Sequence, residues 1–195
     1  MLRRLLAIAA VARLLAVPSV ARAATPDEII SALNSYWAGQ FAALGIPYSA
    51  PNAVAVTGPV SSPCGELGTF IAPGAYCAAN DTIYYVPDAT SGTGQAAVVL
   101  AHEFGHHVEH LLGGASYSLE GELTADCLGG AFMKYAVGQG LVSPGSFALG
   151  LQLTQSAGDS FTSTDGQVPH GPGNFRSLTF LGGYNGGPAA CGIGA

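Results

Sequence analysis

Two histidines and a glutamate stand together near the middle of the chain, in the order His102-Glu103-Phe104-Gly105-His106. Residues four apart on an α-helix project from the same face, so both imidazoles can reach one metal ion. Glu103 lies beside them and is placed to take a proton from the attacking water. The pattern predicts a Zn²⁺ site in which His102 and His106 are ligands and Glu103 is the general base.

The third ligand has to come from elsewhere in the chain. An extended motif would need a histidine at 112, and this chain has Leu112. Glu122 and Asp126 share a helix face, so Glu122 is expected to bind the metal. Asp126 would then accept the free N–H of a zinc-bound imidazole, as carboxylates around zinc commonly do. Glu120 and His110 remain as rival ligands.

The spacing between the two motifs supports this choice. His106 lies six residues before Leu112, and Glu122 lies six residues after Ser116. Each stretch rises about 9 Å as a helix. If residues 113–115 reverse the chain, Glu122 returns to the level of His106. The site therefore requires two antiparallel helices.

The remaining elements follow from hydrophobic periodicity and from Gly and Pro punctuation. Helices precede and follow a group of strands, which indicates an α+β fold. The strand near residues 81–86 is expected to offer an edge on which an extended peptide can lie. The predicted helices span 26–43, 95–112, 116–137, 145–157 and 173–181, and the predicted strands span 52–60, 67–72 and 81–86.

Four cysteines, an even number, lie after the N-terminal region. In an oxidising compartment they would pair, and three pairings are possible. We favour Cys64–Cys77, which closes a short loop, and this leaves Cys127–Cys191. The competing interpretation, a Cys-rich metal site, lacks any C-x-x-C spacing.

The N-terminus resembles an export signal. A basic start precedes an apolar run from Leu5 to Val17, and Ala21-Arg22-Ala23 has the form that signal peptidases cut. Residues 1–23 are therefore expected to be a signal peptide, and residues 24–195 a single domain that is secreted or held in the cell envelope. Arg13 interrupts the apolar run, which argues against a membrane span of about 20 apolar residues.

Charge excludes some partners of the exported chain. After residue 23 only Lys134 and Arg176 are basic, against twelve acidic residues. Nucleic acids and anionic membranes are bound mainly through Lys and Arg, so neither is an expected partner. Arg176 is expected to pair with a structural carboxylate. The oligomeric state is not predicted.

The ordered motifs resemble a bacterial family of neutral zinc metallopeptidases. The resemblance covers residues 64–184 and implies a zincin-like fold with a glutamate as third zinc ligand. It rests on five blocks: Cys64 to Tyr85, His102 to Val108, Glu122 to Cys127, His170-Gly171 with Phe175-Arg176, and Gly182-Gly183-Tyr184.

The expected function is zinc-dependent hydrolysis of peptide bonds in a peptide or protein substrate. His170 is a further catalytic candidate, because a histidine just before a helix could donate a hydrogen bond to the oxyanion of a tetrahedral intermediate. Equally, it could be a loop histidine that caps that helix. The alternative function is a catalytically inactive zinc-binding envelope or partner-binding protein of the same fold. A third and weaker alternative is a purely structural secreted domain.

Overall fold

The computed structural model describes residues 24–67, 73–87, 93–114, 118–161 and 169–194. The predicted signal peptide, residues 1–23, lies outside this part of the chain. The predicted strand 67–72 also lies outside it, apart from Leu67. The elements, in chain order, are α1 Pro26–Ala43, β1 Asn52–Ala55, β2 Val60–Ser62, β3 Gly65–Leu67, β4 Gly74–Cys77, β5 Thr82–Tyr85, α2 Thr93–Leu111, α3 Leu119–Gly138, α4 Gly145–Ser156, α5 Gly173–Gly186 and a 3₁₀ helix Pro188–Cys191.

Helix α1 is defined at its start by a capping box. The Glu28 amide donates to the Thr25 hydroxyl over 3.3 Å, and the Thr25 amide donates to the Glu28 carboxylate over 2.7 Å. Pro26 fits the first helical position, where no amide is needed. A stripe with helical spacing then packs into the core with no solvent exposure: Ile29, Leu33, Trp37 and Phe41.

The described strands form a mixed three-stranded sheet and a separate hairpin. The sheet order is β1-β5-β4, with β1 parallel and β4 antiparallel to β5, while β2 pairs with β3. The predicted strand 52–60 is thus divided between β1 and the first residue of β2. Central β5 is paired on both sides, so the expectation that it offers a free edge is wrong. Among the described strands the two edges of this sheet belong to β1 and β4.

Helices α2 and α3 are antiparallel. A side-chain carbon on Gly105 would lie 2.6 Å from the Ala125 Cα, and one on Gly129 would lie 3.5 Å from the His102 amide nitrogen. As residue numbers rise along α2, they therefore fall along α3. Within the described ranges, a small mixed sheet, an antiparallel hairpin and five α-helices confirm the predicted α+β class.

Helix α5 is longer than predicted. It continues past the predicted end at residue 181 to Gly186. A side chain at Gly183 would collide with the Cys127 carbonyl of α3, and one at Gly130 would collide with the Phe180 carbonyl of α5. Gly183 thus lies inside the helix and lets α5 pack closely against α3 rather than ending α5.

Two disulfides join the elements. Cys64–Cys77 links the β2–β3 turn to β4, and Cys127–Cys191 links α3 to the 3₁₀ helix. Both are pairings that the sequence favoured. Because the four sulfurs are joined in these two pairs, none is free to bind a metal, and the alternative of a Cys-rich metal site does not apply.

Candidate metal centre

The facing sides of α2 and α3 bring three metal-binding side chains together. The His102 and His106 Nε2 atoms lie 3.2 Å apart. The Glu122 carboxylate approaches His102 Nε2 at 3.3 Å through Oε2 and His106 Nε2 at 3.4 Å through Oε1. In the described part of the chain, these residues form the cluster whose ligand atoms could hold one metal ion.

The donor atoms suit a tetrahedral zinc ion. Bonds of about 2.0–2.1 Å at tetrahedral angles place ligand atoms about 3.3 Å apart, close to the 3.2 Å between the two Nε2 atoms, and each Nε2 also has one Glu122 oxygen within 3.4 Å. Each ring also directs its Nδ1 at a carboxylate oxygen, which leaves the Nε2 lone pairs facing each other. Glu122 Oε2 is buried and lacks a hydrogen-bond donor. A cation resolves both unfavourable features, so the residues fit the metal that the motif implies.

Glycine at position 105 allows this convergence. A side chain there would meet the Ala125 Cα at 2.6 Å and the Ala125 carbonyl oxygen at 2.8 Å. Glycine inside a helix costs about 1 kcal/mol relative to alanine. Here it lets α3 approach α2 closely enough for Glu122 to reach both imidazoles.

The electrostatics of the cluster favour a bound cation. Burial lowers the pKa of His102, but the neighbouring Asp126 and Glu122 carboxylates outweigh burial and raise that pKa to about 10. Burial likewise lowers the pKa of His106, but the Glu109 and Glu122 carboxylates outweigh burial and raise that pKa. Burial raises the pKa of Glu122, yet the two imidazoles bring it well below its usual range. Zinc would replace the protons that these nitrogen atoms hold tightly.

Asp126 orients His102 and is itself held by Arg176. Its Oδ1 lies 3.0 Å from His102 Nδ1. Arg176 donates from Nε to Asp126 Oδ2 over 2.7 Å and from Nη2 to Oδ1 over 3.0 Å. Arg176 Nη2 also lies 3.6 Å from Glu122 Oε2. The arginine therefore pairs with a buried structural carboxylate, as expected, and ties α5 to the site.

Glu103 lies on α2 between the two histidines and faces strand β4. Only 7% of the residue is exposed. A side chain at Gly74 would come within 3.0 Å of the Glu103 Cγ, so β4 passes directly over this carboxylate. Burial raises the pKa of Glu103, while His102, His106 and a hydrogen bond from the Tyr76 backbone oppose that rise. A raised pKa suits a carboxylate that accepts and returns a proton.

Two residues near the centre were not identified from the sequence. Glu109 Oε2 lies 3.3 Å from His106 Nδ1 and gives that ring the partner that Asp126 gives His102. The sequence signal that could have identified Glu109 was its position three residues after His106 on the same helix. The other residue, His107, is fully buried against Asp81 and the Ser49 carbonyl.

The rival ligands lie away from the cluster. Glu120 is exposed on the first turn of α3, and His110 is exposed near the end of α2 beside the Tyr76 ring. Neither belongs to the triad of His102, His106 and Glu122.

His170 belongs to a different environment. Its Nδ1 lies 3.1 Å from Asp159 Oδ2, and half of its side chain is exposed. The next residue, Gly171, packs within reach of the Leu119 side chain at the start of α3. This places the segment one helical turn from Glu122.

Parts of the chain are similar to known proteins. Residues 19–117, which include the H-E-x-x-H motif and end before Glu122, match the family described as "Putative neutral zinc metallopeptidase". The uncharacterised protein YpfJ of Escherichia coli K12 is 30% identical over 84% of this chain and 68% of its own length. The uncharacterised protein Rv2575 of Mycobacterium tuberculosis H37Rv is 30% identical over 46% of this chain and 37% of its own. No solved structure matches.

Proposed function

The chain belongs to the neutral zinc metallopeptidase family, and from that premise we propose that it is a zinc-dependent endopeptidase. The observation that supports this most directly is the convergence of His102, His106 and Glu122 within 4.8 Å of one another. We assign the three as zinc ligands, with Asp126 orienting His102.

Each side chain has a defined task in the proposed hydrolysis. Bound zinc supplies Lewis acidity, which lowers the pKa of a water molecule towards about 7 and polarises the scissile carbonyl. Glu103 accepts the proton of the attacking water and passes it to the leaving amine. Asp126 and Glu109 hold the His102 and His106 rings by their Nδ1 atoms, which keeps the Nε2 lone pairs directed at the metal.

A peptide substrate fits the surroundings of Glu103. Strand β4 passes over that carboxylate and, among the described strands, is an edge strand that pairs with β5 alone. An extended peptide can add to such an edge through main-chain hydrogen bonds, which brings its scissile bond beside the metal ligands. The scarcity of Lys and Arg argues against nucleic acid as a substrate.

His170 is proposed to stabilise the oxyanion. Its ring is half exposed and is oriented by Asp159, and the adjacent Gly171 packs at the start of α3. An accessible donor fixed in this way suits an oxyanion role.

We also propose that the protein is exported, with residues 1–23 as signal peptide and 24–195 as one domain. Two formed disulfides are compatible with an oxidising compartment. Within the described part of the chain, every helix is too short or too polar to span a bilayer.

Replacing Glu103 by Gln tests the mechanism. Because Glu103 is not assigned as a ligand, E103Q should keep one zinc per chain. Its cleavage of a broad peptide library should fall by about 10²–10⁴, the usual contribution of a general base. Zinc is measured by elemental analysis and cleavage by mass spectrometry, with chelated wild type as the blank.

The exposed Glu120 provides the matched control, since E120Q makes the same chemical change outside the cluster and should cleave like the wild type. Equal turnover by E103Q and wild type would reject the assigned base. Zinc binding without any cleavage by the wild type would instead favour the inactive zinc-binding alternative.

A further inference from the structure

The histidine that follows the proposed ligands is placed differently from them. His107 has no solvent exposure and directs Nδ1 at Asp81 Oδ1 over 2.7 Å. Its Nε2–H donates to the Ser49 carbonyl over 2.9 Å, because a carbonyl oxygen can only accept. Both ring nitrogens are thus engaged by parts of the chain outside α2.

Asp81 collects these contacts at the turn between β4 and β5. The same Oδ1 that contacts His107 also accepts the Tyr76 hydroxyl over 2.9 Å. The Asp81 backbone has φ of 48°, in the left-handed region, where Asp and Asn are tolerated better than most residues. One carboxylate therefore joins the metal-site helix to strand β4.

Strand β4 is the element that covers the proposed general base. Gly74 at its start lies against the Glu103 side chain, and Tyr76 contributes the backbone hydrogen bond to Glu103. Because β4 is an edge strand, it has a neighbouring strand on one side only among the described strands. Besides β5 and the Cys64–Cys77 disulfide, its contacts with α2 set its position relative to Glu103.

We propose that His107 and Asp81 form a latch that holds β4 against α2, so that the strand on which a peptide is to be bound stays in register with Glu103. His107 is then a positioning residue that acts through β4. The part of this inference that concerns peptide binding rests on the proposed function, whereas the part that concerns β4 does not.

Aromatic packing alone does not account for a histidine here. The ring makes edge contacts with Tyr48, Tyr76 and Phe104. Phenylalanine would keep such contacts but would lose both polar ones. H107F therefore separates the latch from simple filling of space.

Three variants test the latch. H107F removes both polar contacts of the ring. D81G removes the carboxylate and accepts the positive φ without strain. D81N keeps an oxygen acceptor for Tyr76 and His107 and serves as the conservative rescue. Because Asp81 is partly exposed, the Asp81 variants should fold even where H107F does not.

Amide hydrogen exchange is the first measurement. In H107F and D81G the amides of residues 74–77 should exchange about tenfold faster, the equivalent of one lost hydrogen bond to a charged group. D81N should stay within about twofold of wild type by the same reasoning. Zinc stoichiometry should not change, because the ligands are untouched. The double variant H107F/D81G should exchange more slowly than the product of the two single effects predicts, since both changes break the shared His107–Asp81 contact.

Peptide cleavage is the second measurement. H107F and D81G should raise KM about tenfold, because the competent arrangement of β4 is populated less, and should alter kcat by less than about threefold. L33A creates a cavity in the buried stripe of α1 and controls for general loss of stability. It should not raise KM while leaving kcat nearly unchanged.

The latch would be overturned if both H107F and D81G showed wild-type exchange and a wild-type KM. It would also be overturned if L33A changed both measurements as H107F and D81G do. If the wild type cleaves no peptide, the proposed function fails and the exchange measurement alone decides. If E103Q abolishes cleavage while the latch variants behave as wild type, only the latch fails.

Discussion

Histidines meet carboxylates in two regions of the molecule, and the two regions are built in opposite ways. Between α2 and α3, the side chains of His102, His106 and Glu122 are 17%, 8% and 12% exposed. On the segments that follow α4 and precede α5, His170 and Asp159 are 50% and 44% exposed. The first set is enclosed by two packed helices, whereas the second is about half exposed to solvent.

Enclosure explains why similar contacts have different consequences. Between the helices, the low dielectric and the exclusion of solvent strengthen each interaction and shift several pKa values. In the open segment, solvent screens the same kind of contact, which is then worth little for stability. A buried carboxylate that two imidazoles approach favours a cation, while an exposed dyad can at most orient a ring.

The largest expected effect is in the enclosed region. E122A removes one ligand, so zinc affinity should fall by more than about 100-fold, since altering even a partner of a ligand costs 10–100-fold. Competition with a chelating dye measures this, and peptide cleavage should disappear with the zinc. E120A, at an exposed position two residues earlier on α3, should bind zinc normally.

Thermal unfolding provides a separate check on this variant. Chelation should lower the Tm of the wild type, because zinc stabilises only the folded chain, and should leave the Tm of E122A unchanged. Undiminished zinc binding by E122A would remove Glu122 from the site.

The open region should show a smaller effect that is confined to turnover. H170A should lower kcat by about 100-fold if the ring donates to the oxyanion, as single donors of this kind do. Zinc content and Tm should stay at wild-type values, because the ring is half exposed. A kcat within threefold of wild type, measured under saturating peptide, would leave His170 as a loop histidine.

Helix spacing in the enclosed region can be tested without touching a ligand. G105A forces a side chain against Ala125 and should destabilise the fold by about 1–3 kcal/mol, as overpacking usually does. Zinc affinity should fall too, since Glu122 moves away from the imidazoles. G39A, in an open position on α1, should instead stabilise by about 0.5–1 kcal/mol. Urea unfolding of both variants measures the contrast, and equal behaviour would contradict the close packing.

The smallest expected effect is the pH response of Asp159. Burial raises the pKa of Asp159 slightly, but hydrogen bonds from the His170 amide and ring and from the Gly171 amide outweigh burial and lower that pKa. A lowered folded-state pKa stabilises the segment above the ordinary Asp pKa of about 3.9, and this contribution is lost as pH falls through the folded-state value. NMR titration should show a midpoint below that of a model peptide, and H170A should raise it. An unshifted midpoint would show that the contact does not persist in solution.

Much of the fold was accessible from pattern alone. Helices α1, α2 and α4 were predicted within about two residues, because caps and apolar spacing act over a few residues. The strands were predicted less well: the span 52–60 is divided between β1 and the first residue of β2, β4 was missed, and β3 was missed apart from Leu67, since strand pairing depends on distant partners. The end of α5 was misplaced because glycines that serve helix packing look like a terminating tail.

By itself the sequence determined which side chains share a helix face, because the hydrogen bonds that set helical spacing join residues only four apart. That was enough to predict His102, Glu103 and His106 together, and Glu122 with Asp126. Only the tertiary structure decided that Glu109 supports His106, that Arg176 holds Asp126, and that His107 reaches Asp81 and β4. Such contacts join elements far apart in the chain, and they depend on how the whole core packs.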